Sequence, residues 1–464
     1  MQLIKSRFHF VGVGGIGMCG LAELLCNMGA QVSGSDLSEN ANTERLKKLG
    51  VKIFKGHQAQ NVGDVDVVVY SSAIPHSNPE ILAAKAKSIP LIPRAEALAE
   101  IMRLKRGIAV AGTHGKTTTT SIIASVFLAA QSSPTIVVGG RFDMIQSTAH
   151  LGDGEWLIAE ADESDGSFQK LSPELSVITN IDSDHLDYFK SFENLQKAFL
   201  NFANKIPFYG TIIACGDDLV IRQVLESFSK KVLYYGFSEK NDYVLKGEKG
   251  KYKIFKNNPP VNSSGDVASS LKLIANYQMQ VPGVHNALNA CAAFLVGMTA
   301  GFDIPTIQKG IQQFQGVDRR FQFKGEKVLQ PGAAAVAVYD DYGHHPTEVR
   351  ATLQAFKEKF PDRRIVVLFQ PHRYSRTESC WSEFTSCFKD CDELLLTDIY
   401  PAGEPPVPGI TSEKLCLDIK HSCKSFLGKT DNLVDNIKSH LKPNDVFVTL
   451  GAGDGWKIGM EILK

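Results

Sequence analysis

The part of this chain that most limits its fold is a short stretch near residue 112. An apolar run at 107–111 reads as a buried strand. It passes into Gly112-Thr113-His114-Gly115-Lys116-Thr117, and then into a helix-forming run at 118–130 that opens with Thr118. A strand, a glycine turn and a helix in that order make an anion cradle, because backbone N–H groups and the helix N-terminus face the same point. Lys116 would reach the outer phosphates of a nucleotide, and the Thr117 hydroxyl would hold a divalent cation. The full phosphate-loop pattern wants a further glycine where Val110 stands. The unit belongs to parallel α/β layers, and the rest of the chain follows suit: short apolar runs ending in Gly or Ser alternate with helical stretches.

Three such α/β units can be separated. The first, residues 1–96, has strands predicted at 8–13, 31–35 and 65–70 and a helix at 18–28. The second, 97–316, adds strands at 156–159 and 175–179, a polar Lys-rich stretch at 241–280 read as peripheral antiparallel strands, and a helix at 286–300. The third, 317–464, has strands at 333–339, 364–369, 394–397 and 446–450. The expected architecture is a Rossmann-like domain, a P-loop ATPase-like α/β domain and a second Rossmann-like domain. In open α/β sheets, ligands collect beyond the carboxyl ends of the strands, and the polar clusters of this chain fall there.

Those clusters carry the chemistry. Glu160 opens the acidic run Glu160-Ala161-Asp162-Glu163-Ser164-Asp165. Alone, such a run is a solvated loop; placed at a strand end beside a phosphate loop, Glu160 becomes a Mg²⁺ ligand. His185 lies in a second strand-end cluster, at 180–187, and could ligate a metal or orient a substrate. Gly12-Val13-Gly14-Gly15-Ile16-Gly17, with Asp36 ending the next strand, resembles a dinucleotide fingerprint. It points to a diphosphate at a helix N-terminus without identifying the nucleotide, so a redox enzyme remains an alternative on this motif alone. Arg319-Arg320 and the pair Arg373 and Arg376 offer forks suited to carboxylates and phosphates.

The remaining composition mostly excludes. Fifty Lys and Arg balance fifty Asp and Glu, so no basic field suggests nucleic acid or an anionic membrane. Nine cysteines show no CxxC spacing, which fits reduced thiols; Cys387 and Cys391, four apart and expected on one helix, read as filler rather than a metal pair. No apolar run approaches membrane-spanning length, and no signal peptide precedes the first strand, so the expected location is cytoplasmic.

Taken together, the ordered blocks GVGGIGMCG (12–20), GTHGKTTTT (112–120), EADESDGSF (160–168), NIDSDHLDYF (180–189), PGVHNALNA (282–290), GVDRRFQ (316–322), DDYGHHPTE (340–348) and FQPHRYSRT (369–377) resemble the Mur ligases. They are most like the branch that joins L-alanine to the carboxylate of UDP-N-acetylmuramate, in peptidoglycan precursor synthesis. The resemblance covers nearly the whole chain. It implies an ATP-dependent, ADP-forming ligase working through an acyl phosphate, with Mg²⁺ or Mn²⁺. UDP-sugar, ATP and amino acid would be held by the first, second and third domains, and the protein would be a monomer or weak homodimer.

The resemblance also implies residue roles. Thr117, Glu160 and His185 match metal positions, and Lys116 the phosphate-binding lysine. His285, Asn286 and Asn289 match a nucleotide motif, Arg319 an arginine reaching the ATP phosphates, Asp341 a ribose contact and Tyr342 a residue beside the nucleotide. His344, Arg373 and Arg376 resemble the amino-acid pocket. Gly14, Gly15, Ile16 and Gly17 should approach the UDP diphosphate, with Asp36, His57, Ser71 and Ser72 lining the uridine side. Two departures stand out. Thr148 and His150 occupy positions where Asn and Arg are common, and Leu200 lies near the spot where sister ligases carry a carbamoylated lysine.

Overall fold

The structure, a computed structural model, describes residues 5–71, 73–142, 144–145, 147–258 and 270–464. Three sheets are distributed over two compact units, the first comprising Met1–Lys246, Tyr252–Gln278 and Leu288–Phe314, the second Gly247–Lys251, Met279–Ala287 and Gln315–Lys464.

The first unit begins with a five-stranded parallel sheet in the order Lys52–Lys55, Gln31–Asp36, Arg7–Val11, Val67–Tyr70, Leu91–Pro93. The earliest strand lies in the middle, so the order reverses on either side of it. That reversal opens a crevice at its carboxyl end, where the chain enters the glycine turn and the helix Ile16–Asn27. The next sheet has ten strands among the described residues. Its centre is Thr211–Cys215, Leu175–Ile178, Arg106–Ala111 and Trp156–Glu160, all parallel. These strands are nearly continuous apolar runs, as strands covered on both faces must be. The helix Lys116–Ala129 covers one face and buries Ile122, Ile123, Val126 and Phe127 completely. Each contributes roughly 1.5–3 kcal/mol on leaving water. The Phe127 ring also meets Trp156 and Phe302 edge-on, at centroid distances of 5.7 and 4.7 Å.

At one edge of this sheet, Ser147–His150 runs antiparallel to Thr135–Phe142. It lies against the helix Ile16–Asn27: a Cβ at Gly20 would meet Thr148 Oγ1 at 2.8 Å. The atypical Thr148 is thus a packing residue. Leu200 is half-buried on the helix Phe192–Ala203. At the other edge lie Tyr243–Glu248, Lys251–Asn258 and Ser270–Gln278, peripheral as expected. The first of them pairs in parallel with Lys231–Gly236, a correction to the antiparallel reading at that joint.

The second unit holds a six-stranded sheet in the order Gln322–Lys327, Val336–Asp341, Val446–Leu450, Ile365–Phe369, Glu393–Leu396, Lys424–Phe426. The first strand is antiparallel to its neighbour and the others are parallel. Cys387 and Cys391 are not on one helix. They flank a turn after the short helix Trp381–Phe384 and are buried in the apolar core. All nine cysteines are free thiols. Among the described residues, no helix is long and apolar enough to cross a membrane.

Candidate active site

The phosphate loop is built by two glycines that no other residue could replace without strain. Gly112 has φ +136°, and a Cβ there would lie 2.0 Å from Thr179 Oγ1; Gly115, the N-cap, has φ +82°. The loop is tied to the neighbouring strand end. Thr113 N donates to Asn180 O (3.1 Å), His114 N to Asn180 Oδ1 (2.8 Å) and Asp182 N to Thr113 Oγ1 (2.9 Å). The His114 ring lies 3.0 Å from Asp182 Oδ2, through Nε2. Asn289 sits against Gly115, whose Cβ would come within 2.8 Å of its Oδ1. Thr118 is buried in the first turn of the helix.

Lys116 folds back over this loop. Its Nζ donates to Gly112 O (2.8 Å), Thr113 O (3.0 Å) and Glu163 Oε1 (2.8 Å). Burial works against its charge, but Glu163, Asp162 and Glu160 outweigh burial and raise the lysine above its ordinary value. Beside it, Thr117 Oγ1 donates to Glu160 Oε2 (2.9 Å), which also accepts from Gly139 N (2.8 Å). His185 has φ +57°, and its Nε2 stands 3.7 Å from both Glu163 Oε1 and Asp184 Oδ2. A hydroxyl, a carboxylate and an imidazole thus lie around the Lys116 end of the loop. Sequence reading passed over Glu163 and Asn180, although both lie inside polar runs at strand ends. Glu163 is wholly buried and its Oε2 has no hydrogen-bond partner, and a solvated acidic loop would show neither property.

At the first glycine turn, Gly14 N donates to Asp36 Oδ2 (2.8 Å), and Asn42 Nδ2 donates to Gly14 O (2.9 Å). Asp36 Oδ1 accepts from Ser38 N (3.2 Å), so this carboxylate shapes the turn. Gly15 caps the helix without any side-chain partner, and Ile16 is half exposed. Gly17 lies against Arg94, whose Nη1 would meet an added Cβ at 3.1 Å. Ser71 sits beside Gly12, its Cβ 3.7 Å from where a Gly12 side chain would start. His57 stands behind the turn, its Nδ1 3.0 Å from Ser35 Oγ and 3.1 Å from Glu80 Oε2. Ser72 lies outside the described residues.

In the second unit, Arg319 and Asp341 are both tied to their own sheet. Arg319 has φ +59°, which turns its side chain onto its own sheet. Nε donates to Asp340 Oδ2 (2.9 Å), Nη2 to Gly451 O (2.6 Å) and Nη1 to Gly453 O (3.2 Å). Asp341 accepts from Phe321 N (2.7 Å), Gly343 N (2.8 Å) and Thr352 Oγ1 (3.2 Å), which secures the turn that follows its strand. Tyr342 carries the guanidinium groups of Arg319 and Arg320 at 5.0 and 5.1 Å from its ring centre. Asn286 Nδ2 donates to Pro282 O (2.7 Å). His285 is pushed down to about 4 by burial and then by Arg320.

His344, Arg373 and Arg376 do come together, with His372 as an addition. His344 Nδ1 lies 2.9 Å from Tyr342 O, and its ring 5.6 Å from that of His372. His372 stacks on Tyr400 at 5.7 Å, and its Nδ1 lies 3.4 Å from Arg376 Nη1. Burial drives both imidazoles down, His344 to about 3 and His372 to about 4. Arg373 has φ +65°, and its buried Nε has no acceptor. Neutral imidazoles beside two guanidinium groups make a pocket that favours a carboxylate.

Sequence comparison agrees with this arrangement. Residues 7–106 match the Mur ligase family catalytic domain, 110–297 the Mur ligase middle domain and 319–453 the Mur ligase glutamate ligase domain. The chain belongs to the Mur ligase family. A UDP-N-acetylmuramate–L-alanine ligase of Bdellovibrio bacteriovorus is 63% identical over 464 residues, 100% of each chain. The enzyme of that name from Trichlorobacter lovleyi is 46% identical over 99% of this chain and 98% of its own. Among solved structures, UDP-N-acetylmuramate-alanine ligase of Thermotoga maritima superposes with a TM-score of 0.79 at 29% identity, covering 98% of both chains. A murein peptide ligase of Psychrobacter arcticus shares the fold, with a TM-score of 0.70 at 22% identity over 99% of this chain and 98% of its own.

Proposed function

We propose that this protein joins L-alanine to the carboxylate of UDP-N-acetylmuramate, with ATP converted to ADP and phosphate, in peptidoglycan precursor synthesis. The observation that carries the reading is the cation-and-carboxylate centre at the phosphate loop, where Lys116, Thr117, Glu160, Glu163 and His185 converge. Full-length identity to ligases of that name supports it. A lactyl carboxylate is a poor electrophile. Attack of its oxygen on the γ-phosphorus, with ADP leaving, gives an acyl phosphate. The amine of L-alanine then adds to the acyl carbon, and phosphate departs with the former carboxylate oxygen.

Both reactants of the first step are anionic, so charge neutralisation dominates catalysis. Lys116 exchanges Glu163 for the phosphates, and the backbone N–H groups of residues 112–118 cradle them. Thr117, Glu160 and His185 offer the hydroxyl, carboxylate and imidazole donors that suit Mg²⁺ or Mn²⁺. When bound, the ion supplies positive charge to the transferring phosphoryl group. His285, Asn286, Asn289 and Tyr342 are assigned to nucleotide binding. Arg319 is assigned to the ATP phosphates and Asp341 to the ribose. His344, Arg373 and Arg376 receive the amino-acid carboxylate. The first domain, with Gly14, Gly15, Ile16, Gly17, Asp36, His57, Ser71 and Ser72, takes the UDP-sugar. We take the domains as residues 1–96, 97–316 and 317–464, and the enzyme as cytoplasmic and monomeric or weakly dimeric.

The experiment is a substrate panel. Purified protein given ATP, Mg²⁺ and UDP-N-acetylmuramate should release phosphate fastest with L-alanine. Faster release with the tripeptide L-alanyl-γ-D-glutamyl-diaminopimelate would assign it instead to the peptide-recycling branch.

A further inference from the structure

The least expected group in the first domain is Glu80. It is the second residue of the helix Pro79–Ala86, a position that ordinarily faces water, yet it is 0% exposed. Five residues from three stretches of the chain, at 9, 35 and 57–61, converge on its carboxylate. Ser35 Oγ donates to Oε2 (2.5 Å), and His57 Nδ1 lies 3.1 Å from the same oxygen. Asn61 Nδ2 donates to Oε1 (2.6 Å), Gln58 N reaches the same oxygen at 3.4 Å, and His9 Nε2 stands 3.8 Å from it. Burial alone would keep the group protonated, but His9, Ser35 and Asn61 outweigh it and hold the carboxyl down at about 2.

An ionised carboxylate offers only acceptors. His57 Nδ1 therefore carries a hydrogen, and in the neutral ring that makes Nε2 the acceptor. Ser35 and His57 also flank Asp36 and the glycine turn, at the carboxyl ends of the strands.

We infer that Glu80 is a positioning residue for the UDP-sugar: it fixes the orientation and tautomer of His57, so that Nε2 accepts a hydrogen bond from the imide N–H of uracil. The inference rests on the proposed function in placing uridine near His57. It assigns a role to a buried acid that never meets the reacting atoms.

The test is steady-state kinetics on the full-length protein with Glu80→Gln, Ser35→Ala, His57→Ala and the double variant Glu80→Gln/His57→Ala. Glu80→Gln should raise KM for UDP-N-acetylmuramate about tenfold, the scale of one lost hydrogen bond to a ligand. KM for ATP and kcat should hold within about twofold. The double variant should be no worse than His57→Ala, because the two residues act as one unit. Binding of UDP, which lacks the sugar, should weaken by the same factor. Glu80→Asp should recover part of the loss. If Glu80→Gln fails to fold, Ser35→Ala should show the same selective rise at smaller size.

A rise caused by His57→Ala but not by Glu80→Gln or Ser35→Ala would overturn the role of Glu80 and leave the UDP-sugar assignment standing. No rise with any of the variants would remove His57 from the uridine site as well. Additive losses, or equal losses for ATP, would mean a purely structural role. Unchanged UDP binding would overturn the uracil assignment.

Discussion

Two glycine turns in this chain share one local design, and they differ where chemistry requires it. Each follows a parallel strand, each is capped by a glycine, and each opens a helix: Gly15 before Ile16–Asn27 and Gly115 before Lys116–Ala129. The first residue of the first helix is isoleucine, and the groups around the turn are Asp36, Asn40 and Asn42. The first residue of the second helix is a lysine, held by Glu163 and next to the Thr117–Glu160 pair. Both turns present backbone N–H groups to an anion. Arg94 lies beside Gly17 at the first, but the second alone carries a cation within the loop itself, where it can neutralise charge that moves during a reaction. The first is suited to hold a diphosphate that stays intact, the second to release one.

The largest effect should come from erasing that difference. Lys116→Ala should lower kcat by roughly 10²- to 10³-fold, as loss of a transition-state charge contact does, with little change in KM for UDP-N-acetylmuramate. Phosphate-release kinetics at saturating substrates measure it. A variant with near-normal kcat would reduce the lysine to a structural part of the loop.

A reciprocal pair sharpens the comparison. Gly115→Ala puts a Cβ at φ +82° and within 2.8 Å of Asn289 Oδ1. The left-handed conformation alone costs about 1–2 kcal/mol, so KM for ATP should rise roughly tenfold. Gly14→Ala brings a Cβ within 2.8 Å of Asp36 Oδ2 and 2.9 Å of Asn40 Nδ2. Those side-chain ends can shift, so KM for the UDP-sugar should rise only about threefold, within the range of a strained surface contact. The same order of effects on both substrates from both variants would break the division of labour.

A smaller effect separates the second unit from both turns. Its buried His285, His344 and His372 are held at about 4, 3 and 4. Their unfolded values are near 6.5. A depressed folded value means that the unfolded chain binds more protons as pH falls, so stability is present above pH 6.5 and lost between about 6.5 and 4. Each of these imidazoles should add a slope of at most about 1.4 kcal/mol per pH unit in that window. Urea midpoints of His372→Gln should show a shallower decline than the parent. An identical slope would show that these imidazoles take up protons in the folded state.

The sequence displays its strands and strand-end clusters well because continuous apolar runs ending in Gly, Ser or Asp have few other meanings. The helix Lys116–Ala129 and the strand Val446–Leu450 fall within two residues of expectation. Long-range use of a side chain is less visible. Arg319 and Asp341 carry the chemistry for phosphate and ribose, and the folded chain adds partners that the motif does not show, at Gly451 and Thr352. Glu80 and Glu163 show the reverse. Each sits among exposed-looking polar residues in sequence, and only the folded chain reveals that both are wholly buried and ligated. A motif fixes which groups arrive at a strand end. Packing decides which of them are left for a ligand.

The claim beneath all of this is that the Lys116 turn delivers phosphate to a carboxylate and not to water. UDP-N-acetylmuramate labelled with ¹⁸O in its carboxylate tests it directly, by mass analysis of the phosphate released during turnover with ATP and L-alanine. The account predicts one ¹⁸O atom in each phosphate, carried over from the acyl phosphate. Unlabelled phosphate alongside the ligated product would contradict it.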